Sequence, residues 1–428
     1  MRSSERSHWA WFRAAAARFG PPQALRIAIE AYPLLRDLPW PRATWAERRA
    51  VSRVLCSSEW GGQPGSGKSV DGFARRFSRA HGARFGICTN SGTTALSVAY
   101  RALGVGRGHE VIVPALTFSA TAAAALALGA DVLFADVDRR TMCIDPESVE
   151  RLVGENTKVV VAVHLGAQLC DLDALRALCQ RRGLRLVEDC AHAPGAAWRG
   201  RSVGSWGDLG CFSFQQSKTI SAGEGGIVIT NDDSLAKHCA AIVDCGRWPE
   251  PGGAPHQVLG SNFRMTQMQA ALLNVQLDRL HREAARRAAN AVLLDELIED
   301  LPAVAVMRPY AAVTTRPVYG YYLLYQGEAY YGVPRRRMAR DLFLRGVPVV
   351  EEMYVPVYRA HEYGWRDPSL AGAQPRAETR VVEHAVQHEL LWIPHMAFSG
   401  SERRIRYIAR AIRDCLSEYA EHTRRGLG

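Results

Sequence analysis

Short apolar runs alternate with helical segments from residue 84 to residue 243, and this alternation restricts the fold more than any other feature. The run at 159–163 (Val-Val-Val-Ala-Val) is typical, because continuous apolar sequence suits a strand that is covered on both faces. Strands that alternate with helices form a mostly parallel sheet. We therefore predict a doubly wound α/β sheet of seven strands, at 84–88, 110–113, 132–136, 158–164, 184–188, 208–214 and 226–230, with helices at 92–103, 118–128, 146–152, 171–182 and 232–243.

The segments outside this region predict two further parts. A capping-box pattern at Thr44 predicts a helix over 44–55, and a second at Thr266 predicts a long helix. Beyond residue 300, an aromatic strand segment at 319–325 precedes helical segments at 333–345, 376–390 and 401–419. We predict three parts: a helical extension at 1–40, a large domain at 41–300 and a smaller α+β domain at 301–428.

Charge and composition exclude several functional classes. The net charge is +10, but the cations are scattered and no basic run is longer than 335–337, so we expect a mild field for anionic substrates rather than nucleic-acid binding. The ten cysteines show no spacing typical of a metal site, which predicts reduced thiols in a cytoplasmic protein. No run of about 18 apolar residues exists, so no membrane-spanning helix is predicted.

Lys218 lies between two predicted buried strands, in the stretch 208–230, and a glycine-rich return follows it. Such a turn fixes the lysine and partly removes it from water, which lowers the pKa of the amine and suits imine formation with an aldehyde cofactor. The alternative is a hairpin lysine that simply reaches solvent. The chain has four lysines among 53 basic residues, and arginine cannot form an imine, so a retained lysine favours the chemical role.

Three other signals lie at predicted strand ends, where ligands of parallel sheets bind. Residues 90–96 open a helix whose free amides, with Thr93, form a phosphate seat. Phe118 could cover a flat ring, and Asp189, followed by His192, could hold a pyridinium nitrogen. Each has an ordinary alternative: a helix cap, a core phenylalanine and a turn-capping aspartate. Together with Lys218 they match the requirements of pyridoxal phosphate (PLP).

A rival hypothesis comes from residues 62–69 (Gly-Gln-Pro-Gly-Ser-Gly-Lys-Ser), which match the Walker A pattern of nucleotide hydrolases. That mechanism needs a buried strand directly before the loop, whereas residues 54–60 have the character of a helix end. Residues 184–189 could serve as the matching Walker B strand. A P-loop NTPase that uses Lys68 therefore stays open as the alternative from a different class.

Five ordered motifs resemble the DegT/DnrJ/StrS family of PLP-dependent sugar and cyclitol aminotransferases, which have fold type I. The resemblance covers residues from about 40 to the C-terminus. The motifs are Asn-Ser-Gly-Thr-Thr-Ala-Leu at 90–96, Pro-Ala-Leu-Thr-Phe-Ser-Ala-Thr at 114–121, Val-Glu-Asp-Cys-Ala-His-Ala at 187–193, Phe-Ser-Phe-Gln-Gln-Ser-Lys at 212–218, and Gly-Ser-Asn-Phe-Arg-Met-Thr-Gln-Met-Gln-Ala-Ala-Leu at 260–272.

This resemblance implies a role for each matching residue. Lys218 would bind the cofactor aldehyde, Asp189 would contact the pyridine nitrogen, and His192 would lie near the phenolic oxygen. Phe118 would stack on the ring, and the phosphate would be held by Gly92, Thr93, Ser213 and, from the neighbouring subunit, Asn262. The family relation therefore implies a homodimer with shared sites, no metal, and glutamine or glutamate as the amino donor.

The acceptor implied by the resemblance is a keto-cyclitol such as scyllo-inosose. Residues 212–226, 355–359 and 391–395 resemble the cyclitol branch more than the nucleotide-sugar branch. A nucleotide-linked keto-sugar aminotransferase and an aminohydroxybenzoate-synthase-like enzyme remain alternatives. Arg247 and Tyr354 are further candidates for substrate contact, without an assigned role.

Overall fold

The computed structural model describes residues 40–63, 67–249, 256–351, 354–359 and 379–426. The predicted helical extension at 1–40 lies outside these ranges apart from Trp40, so that prediction is not tested. The middle of the 62–69 loop and the first part of the predicted helix at 376–390 also lie outside them.

A seven-stranded sheet forms the centre of the molecule, as predicted. Its strands are β1 Phe85–Thr89, β2 Glu110–Pro114, β3 Asp131–Ala135, β4 Thr157–Val163, β5 Arg185–Asp189, β8 Leu209–Ser213 and β9 Gly226–Thr230. Their order in the sheet is β1-β9-β8-β5-β4-β2-β3. The pairs β2–β3, β2–β4, β4–β5 and β5–β8 are parallel, whereas β9 is antiparallel to both of its neighbours.

Four of the helices that follow strands of this sheet begin at side chains that accept hydrogen bonds from free backbone amides. Ser91, Asp145, Asp171 and Asp232 each cap a helix in this way, which stabilises a helix start by roughly 1 kcal/mol. The capping box predicted at Thr44 is also present. The helices between residues 45 and 243 are α1 Trp45–Ser57, α2 Lys68–Ala80, α3 Gly92–Ala102, α4 Ala120–Leu126, α5 Pro146–Leu152, α6 Leu172–Arg182 and α7 Asp233–Val243. Among them, α2 and α4 have no side-chain cap.

The prediction of one long helix after Thr266 is wrong in one respect, because this segment forms two helices, α8 Gln267–Leu277 and α9 Leu280–Ile298.

Two three-stranded sheets were not predicted. Their strands are β6 Ala197–Trp198, β7 Arg201–Ser202, β10 Val304–Val306, β11 Val313–Thr315, β12 Gly320–Tyr325 and β13 Leu390–Pro394. The strand orders are β10-β12-β13 and β11-β6-β7. The remaining helices are α10 Gly327–Tyr331, α11 Arg335–Leu344, α12 Arg380–His384 with a π-turn at Ala385–Glu389, and α13 Glu402–Gly426.

Two large clusters of buried apolar residues form the hydrophobic cores of the described part of the chain. The first surrounds the seven-stranded sheet, and the second lies between α9, the β10-β12-β13 sheet and α13. Leu280 belongs to the first core and Ile298 to the second, so α9 connects them. Tyr319 and Trp392 pack in the first core although they follow residue 300. The boundary at residue 300 therefore stays a prediction.

No helix within the described ranges is both long enough and apolar enough to cross a membrane. All ten cysteines are free thiols, and eight of them are buried. Buried cysteines behave as small apolar side chains, which is the role that the sequence predicts for them.

Candidate active site

A cavity of about 590 Å³ lies at the carboxyl ends of the parallel strands. Strands β5 and β8 end beside each other there, and the N-terminus of α3 borders the same space. Ligands of open α/β sheets bind at this edge, where loops from several strands meet. Seven of the eight predicted site residues line the cavity: Gly92, Thr93, Phe118, Asp189, His192, Ser213 and Lys218.

Lys218 follows β8 on a turn in which its own backbone N–H donates to the carbonyl of Gln215 at 2.9 Å. Its Nζ lies 4.9 Å from the centre of the Tyr319 ring, within the range of a cation–π contact. Burial lowers the pKa of Lys218 to about 8, and the attraction of Asp189 opposes that shift only in part. With this pKa, roughly a tenth of the amine is neutral at pH 7, more than a hundredfold above the neutral fraction of an exposed lysine, and a nucleophile or a base requires that neutral form.

Asp189 is buried at the end of β5, and each of its carboxylate oxygens accepts one hydrogen bond. The Thr121 hydroxyl donates to Oδ2 at 2.9 Å, and the Ala191 backbone N–H donates to Oδ1 at 3.1 Å. Burial raises the pKa of Asp189, although these hydrogen bonds and the nearby Lys218 favour the charged form. Because a carboxylate has about four acceptor positions, Asp189 retains capacity for a cationic N–H from a ligand.

His192 is held as one tautomer. Its Nδ1 accepts from the Gly166 backbone N–H at 3.1 Å, so the ring proton of the neutral imidazole is on Nε2, 3.4 Å from the Tyr354 hydroxyl. Burial, with the nearby Lys218 amine, lowers the pKa of His192 well below its usual value. The ring also stacks on Tyr319, with centroids 4.0 Å apart. Neutral His192 can therefore offer an Nε2–H donor at the cavity.

The start of α3 fits a phosphate group. The first amides of a helix have no intrahelical acceptor, and the helix dipole favours an anion there. A Cβ added at Gly92 would lie 2.6 Å from the Cβ of Ser213, so only glycine allows this close approach of helix and strand. Gly92 and Thr93 thus border the cavity beside the Ser213 hydroxyl, as predicted.

The arrangement satisfies what pyridoxal phosphate requires of a protein. A phosphate seat, a buried carboxylate and a lysine with a lowered pKa border one cavity, although they lie on three separate segments of the chain. Phe118 lies at the same cavity and its side chain is 55% exposed, so it is not the core phenylalanine of the alternative hypothesis.

The other sequence candidates differ in position. Asn262 is exposed and lies outside the cavity lining, and so does Arg247, which pairs with Asp244 at 3.1 Å. Tyr354 does line the cavity. Whether Asn262 reaches a neighbouring subunit remains a prediction.

Sequence reasoning missed four side chains of this site. Thr121 orients Asp189, and Tyr319, Trp392 and His395 line the cavity. The sequence offered one signal for Thr121, namely its spacing of four residues from Thr117. In the structure the hydroxyls of these two residues share a hydrogen bond of 2.9 Å. No local pattern places Tyr319 or His395, because they flank strands of another sheet, β12 and β13.

The loop at 62–69 lacks the context of a nucleotide site. The described segment before it is helix α1 and an extended stretch rather than a buried strand. The backbone N–H groups of Ser69 and Val70, at the start of α2, both donate to Oε1 of Gln267, at 2.9 and 3.1 Å. These amides are therefore not available to a phosphate.

Comparisons with known proteins agree with this geometry. A model of the DegT/DnrJ/EryC1/StrS aminotransferase family matches residues 44–412. The L-glutamine:2-deoxy-scyllo-inosose aminotransferase of Streptomyces lividus is 36% identical over 427 residues, covering 94% of this chain and 100% of that protein.

Two solved structures are also similar. The aminotransferase from Psychrobacter cryohalolentis has a TM-score of 0.82 and 33% identity, covering 89% of this chain and 99% of that chain. The crystal structure of 3-amino-5-hydroxybenzoic acid synthase has a TM-score of 0.80 and 30% identity, covering 89% of this chain and 98% of that chain. These similarities confirm the predicted fold class.

Proposed function

Because this chain belongs to the DegT/DnrJ/EryC1/StrS aminotransferase family, we propose that it transfers an amino group from L-glutamine or L-glutamate to a keto-cyclitol such as scyllo-inosose. The observation that carries this proposal is one cavity that joins Lys218, Asp189 and the N-terminus of α3. The printed activity of the Streptomyces lividus relative supplies the donor and the class of acceptor.

The proposed cofactor is pyridoxal phosphate, with the residue roles expected from the sequence. Gly92, Thr93 and Ser213 would hold the phosphate, and Asp189 would hold the ring nitrogen in its protonated form. His192 would donate from Nε2 to the phenolic oxygen, and Phe118 would cover the ring. When bound, this cofactor supplies an aldehyde that accepts the amino group and a ring that takes up negative charge from the reacting carbon.

Lys218 would carry the proton transfers of both half-reactions. In the first half-reaction its neutral Nζ would take the proton from the α-carbon of the amino donor and deliver it to the former aldehyde carbon of the cofactor. In the second it would carry a proton from that carbon to the acceptor carbon that receives the amino group, so Lys218 is neutral again after each half-reaction. The pKa of about 8 suits both tasks, since the two protonation states differ by only about 1.4 kcal/mol in free energy at pH 7. Tyr319, Tyr354 and Trp392 line the cavity that contains this amine, and the Tyr319 ring contacts it directly.

The charge of the cavity supports an uncharged acceptor. Among the lining residues within the described ranges, Lys218 is the one lysine or arginine, and Glu224 adds an acidic side chain. A nucleotide-linked sugar carries a diphosphate, which proteins commonly hold with arginine or lysine. A neutral keto-cyclitol needs no such cation.

We expect a half-reaction panel to separate these acceptors. Enzyme that has been loaded with an amino group from L-glutamine is mixed with scyllo-inosose, other keto-cyclitols, keto-sugar nucleotides or an aminocyclohexene acid, and the return of the aldehyde absorbance is followed. The keto-cyclitols should react at least about tenfold faster, a difference of about 1.4 kcal/mol in the barrier. Faster reaction with a keto-sugar nucleotide would overturn the proposed acceptor while leaving the aminotransferase assignment intact.

We also propose that the protein is a cytoplasmic homodimer in which Asn262 of the partner subunit contacts the phosphate. The exposed position of Asn262 outside its own cavity supports this arrangement.

Mixing Lys218→Ala subunits with Asn262→Ala subunits tests the shared site. After random exchange, half of the dimers contain one intact composite site, so about a quarter of the wild-type activity should return. Each variant alone is the control, and subunit exchange is verified by native mass spectrometry. A mixture that stays inactive after verified exchange would contradict the contact across the interface.

A further inference from the structure

Two neighbouring carbonyl groups on the turn that carries Lys218 each accept a hydrogen bond from an aromatic side chain. Trp40 donates from Nε1 to the carbonyl oxygen of Lys218 at 2.9 Å. His395 donates from Nε2 to the carbonyl oxygen of Ser217, also at 2.9 Å. The two rings contact each other edge to face, with centroids 4.9 Å apart. The two peptide groups that flank the α-carbon of Lys218 are therefore fixed by one pair of side chains.

This pair comes from distant parts of the chain. Trp40 precedes α1, whereas His395 follows β13. Burial lowers the pKa of His395 to about 3, so the ring is neutral and its one proton is used for Ser217. The fold brings His395 to the turn because β12 and β13 pair with Gly320 opposite Pro394, which places Tyr319 and His395 side by side.

Tyr319 completes the contact with the turn. Its hydroxyl lies 3.0 Å from the Ser217 hydroxyl, and its ring stacks on His395 with centroids 5.5 Å apart. The Lys218 amine lies over the same ring. The side chain of Lys218 and the backbone that bears it are thus both fixed against residues from outside the β8–β9 connection.

We propose that Trp40 and His395 act together as positioning residues for Lys218, and that their hydrogen bonds hold its amine inside the cavity. The inference rests on the proposed role of Lys218, but the arrangement itself is a property of the protein without cofactor. If either hydrogen bond is lost, the turn can move and the amine can reach water, where its charged form is better solvated. The groups facing the amine are Asp189, His192, Tyr319 and His395.

The test measures how readily Lys218 reacts as a free amine in the full-length protein without cofactor. Brief labelling with acetic anhydride around pH 8, followed by mass spectrometry, compares Lys218 with Lys158 and Lys237. Trp40→Phe keeps a ring against His395 but removes the donor. We expect the neutral fraction of Lys218 to fall about twofold near pH 8, which corresponds to an upward pKa shift of about half a unit from a value of about 8.

Two matched variants separate a specific effect on the position of Lys218 from a general loss of folded structure. Trp206→Phe removes a comparable bond, from Nε1 to the Arg201 carbonyl at 3.2 Å, and should leave Lys218 unchanged. His395→Gln retains a side-chain N–H donor and should resemble the wild type more closely than His395→Phe does. These histidine variants keep the proposal testable if Trp40→Phe does not fold, as thermal unfolding would reveal.

An unchanged pH profile for Lys218 in folded Trp40→Phe or folded His395→Phe would overturn the proposal. The outcome is independent of the acceptor panel, because labelling needs neither cofactor nor substrate. If labelling changes as expected but no acceptor reacts, the positioning role stands and the proposed function fails.

Discussion

Lys218→Ala is expected to lower the rate of amino transfer by at least about 10³-fold, the largest effect of any single substitution in this protein. The substitution removes both the proposed attachment point of the cofactor and the base that moves the proton, and general acid–base catalysis alone contributes about 10² to 10⁴. Single-turnover absorbance measurements with L-glutamine would give the rate directly.

Lys68→Ala is the matched control, because it removes the lysine of the Walker-like loop and should leave most of the activity. Binding of PLP to the folded Lys218→Ala protein would show that the cavity remains formed. Loss of activity only in Lys68→Ala, together with ATP hydrolysis by the wild type, would instead favour the P-loop hypothesis.

Asp189→Asn is expected to give the second largest loss, about 10² to 10³-fold in kcat, the range typical of removing one preorganised electrostatic contact. The amide has nearly the same shape as the carboxylate but no charge, so it would not keep a pyridine nitrogen protonated. The change should appear in kcat more than in KM, because the charge is needed while the reacting carbon loses its proton.

The control for Asp189→Asn is Thr121→Val, which removes the hydroxyl that donates to Oδ2 but leaves the carboxylate in place. A loss of about tenfold is expected, at the low end of the roughly 1.5–3 kcal/mol that one hydrogen bond to a charged group contributes, because the charge and the Ala191 contact remain. Equal losses in both variants would contradict a special role for the charge of Asp189.

The pKa of Asp189 also predicts how cofactor binding responds to pH. Burial raises this pKa, so in the cofactor-free protein the carboxyl gains its proton at a higher pH than an exposed aspartate would. Protonated Asp189 cannot attract a pyridinium, which is why wild-type affinity should fall as the pH is lowered through that pKa, whereas Asp189→Asn should lack this dependence.

The central sheet could be predicted from the sequence because its strands are continuous apolar runs. The prediction at 226–230 coincides with Gly226–Thr230, and the prediction at 84–88 differs by one residue from Phe85–Thr89. The short strands Ala197–Trp198 and Arg201–Ser202 were missed, since two residues show no periodicity. The break before Leu280 was missed because no proline or glycine marks it.

The candidate site also has a part that could be predicted and a part that could not. Lys218, Asp189 and Gly92 could be placed together because each lies at or after the carboxyl end of a strand of the central sheet, and the ends of parallel strands meet at one edge. Tyr319 and His395 could not be placed, because they reach the cavity from the antiparallel pair β12–β13. Their position depends on how the second sheet packs against the first, which no local sequence pattern encodes.

The proposed attachment of the cofactor to Lys218 can be examined directly by borohydride reduction of the cofactor-loaded wild-type protein, followed by peptide mass spectrometry. Reduction fixes the cofactor to the amine that holds it, and the chain offers only Lys68, Lys158, Lys218 and Lys237 among its side chains. One modified peptide, containing Lys218, is expected in the wild type and none in Lys218→Ala. A cofactor fixed to any other lysine, or no modified peptide in the wild type, would show that Lys218 does not have the proposed role.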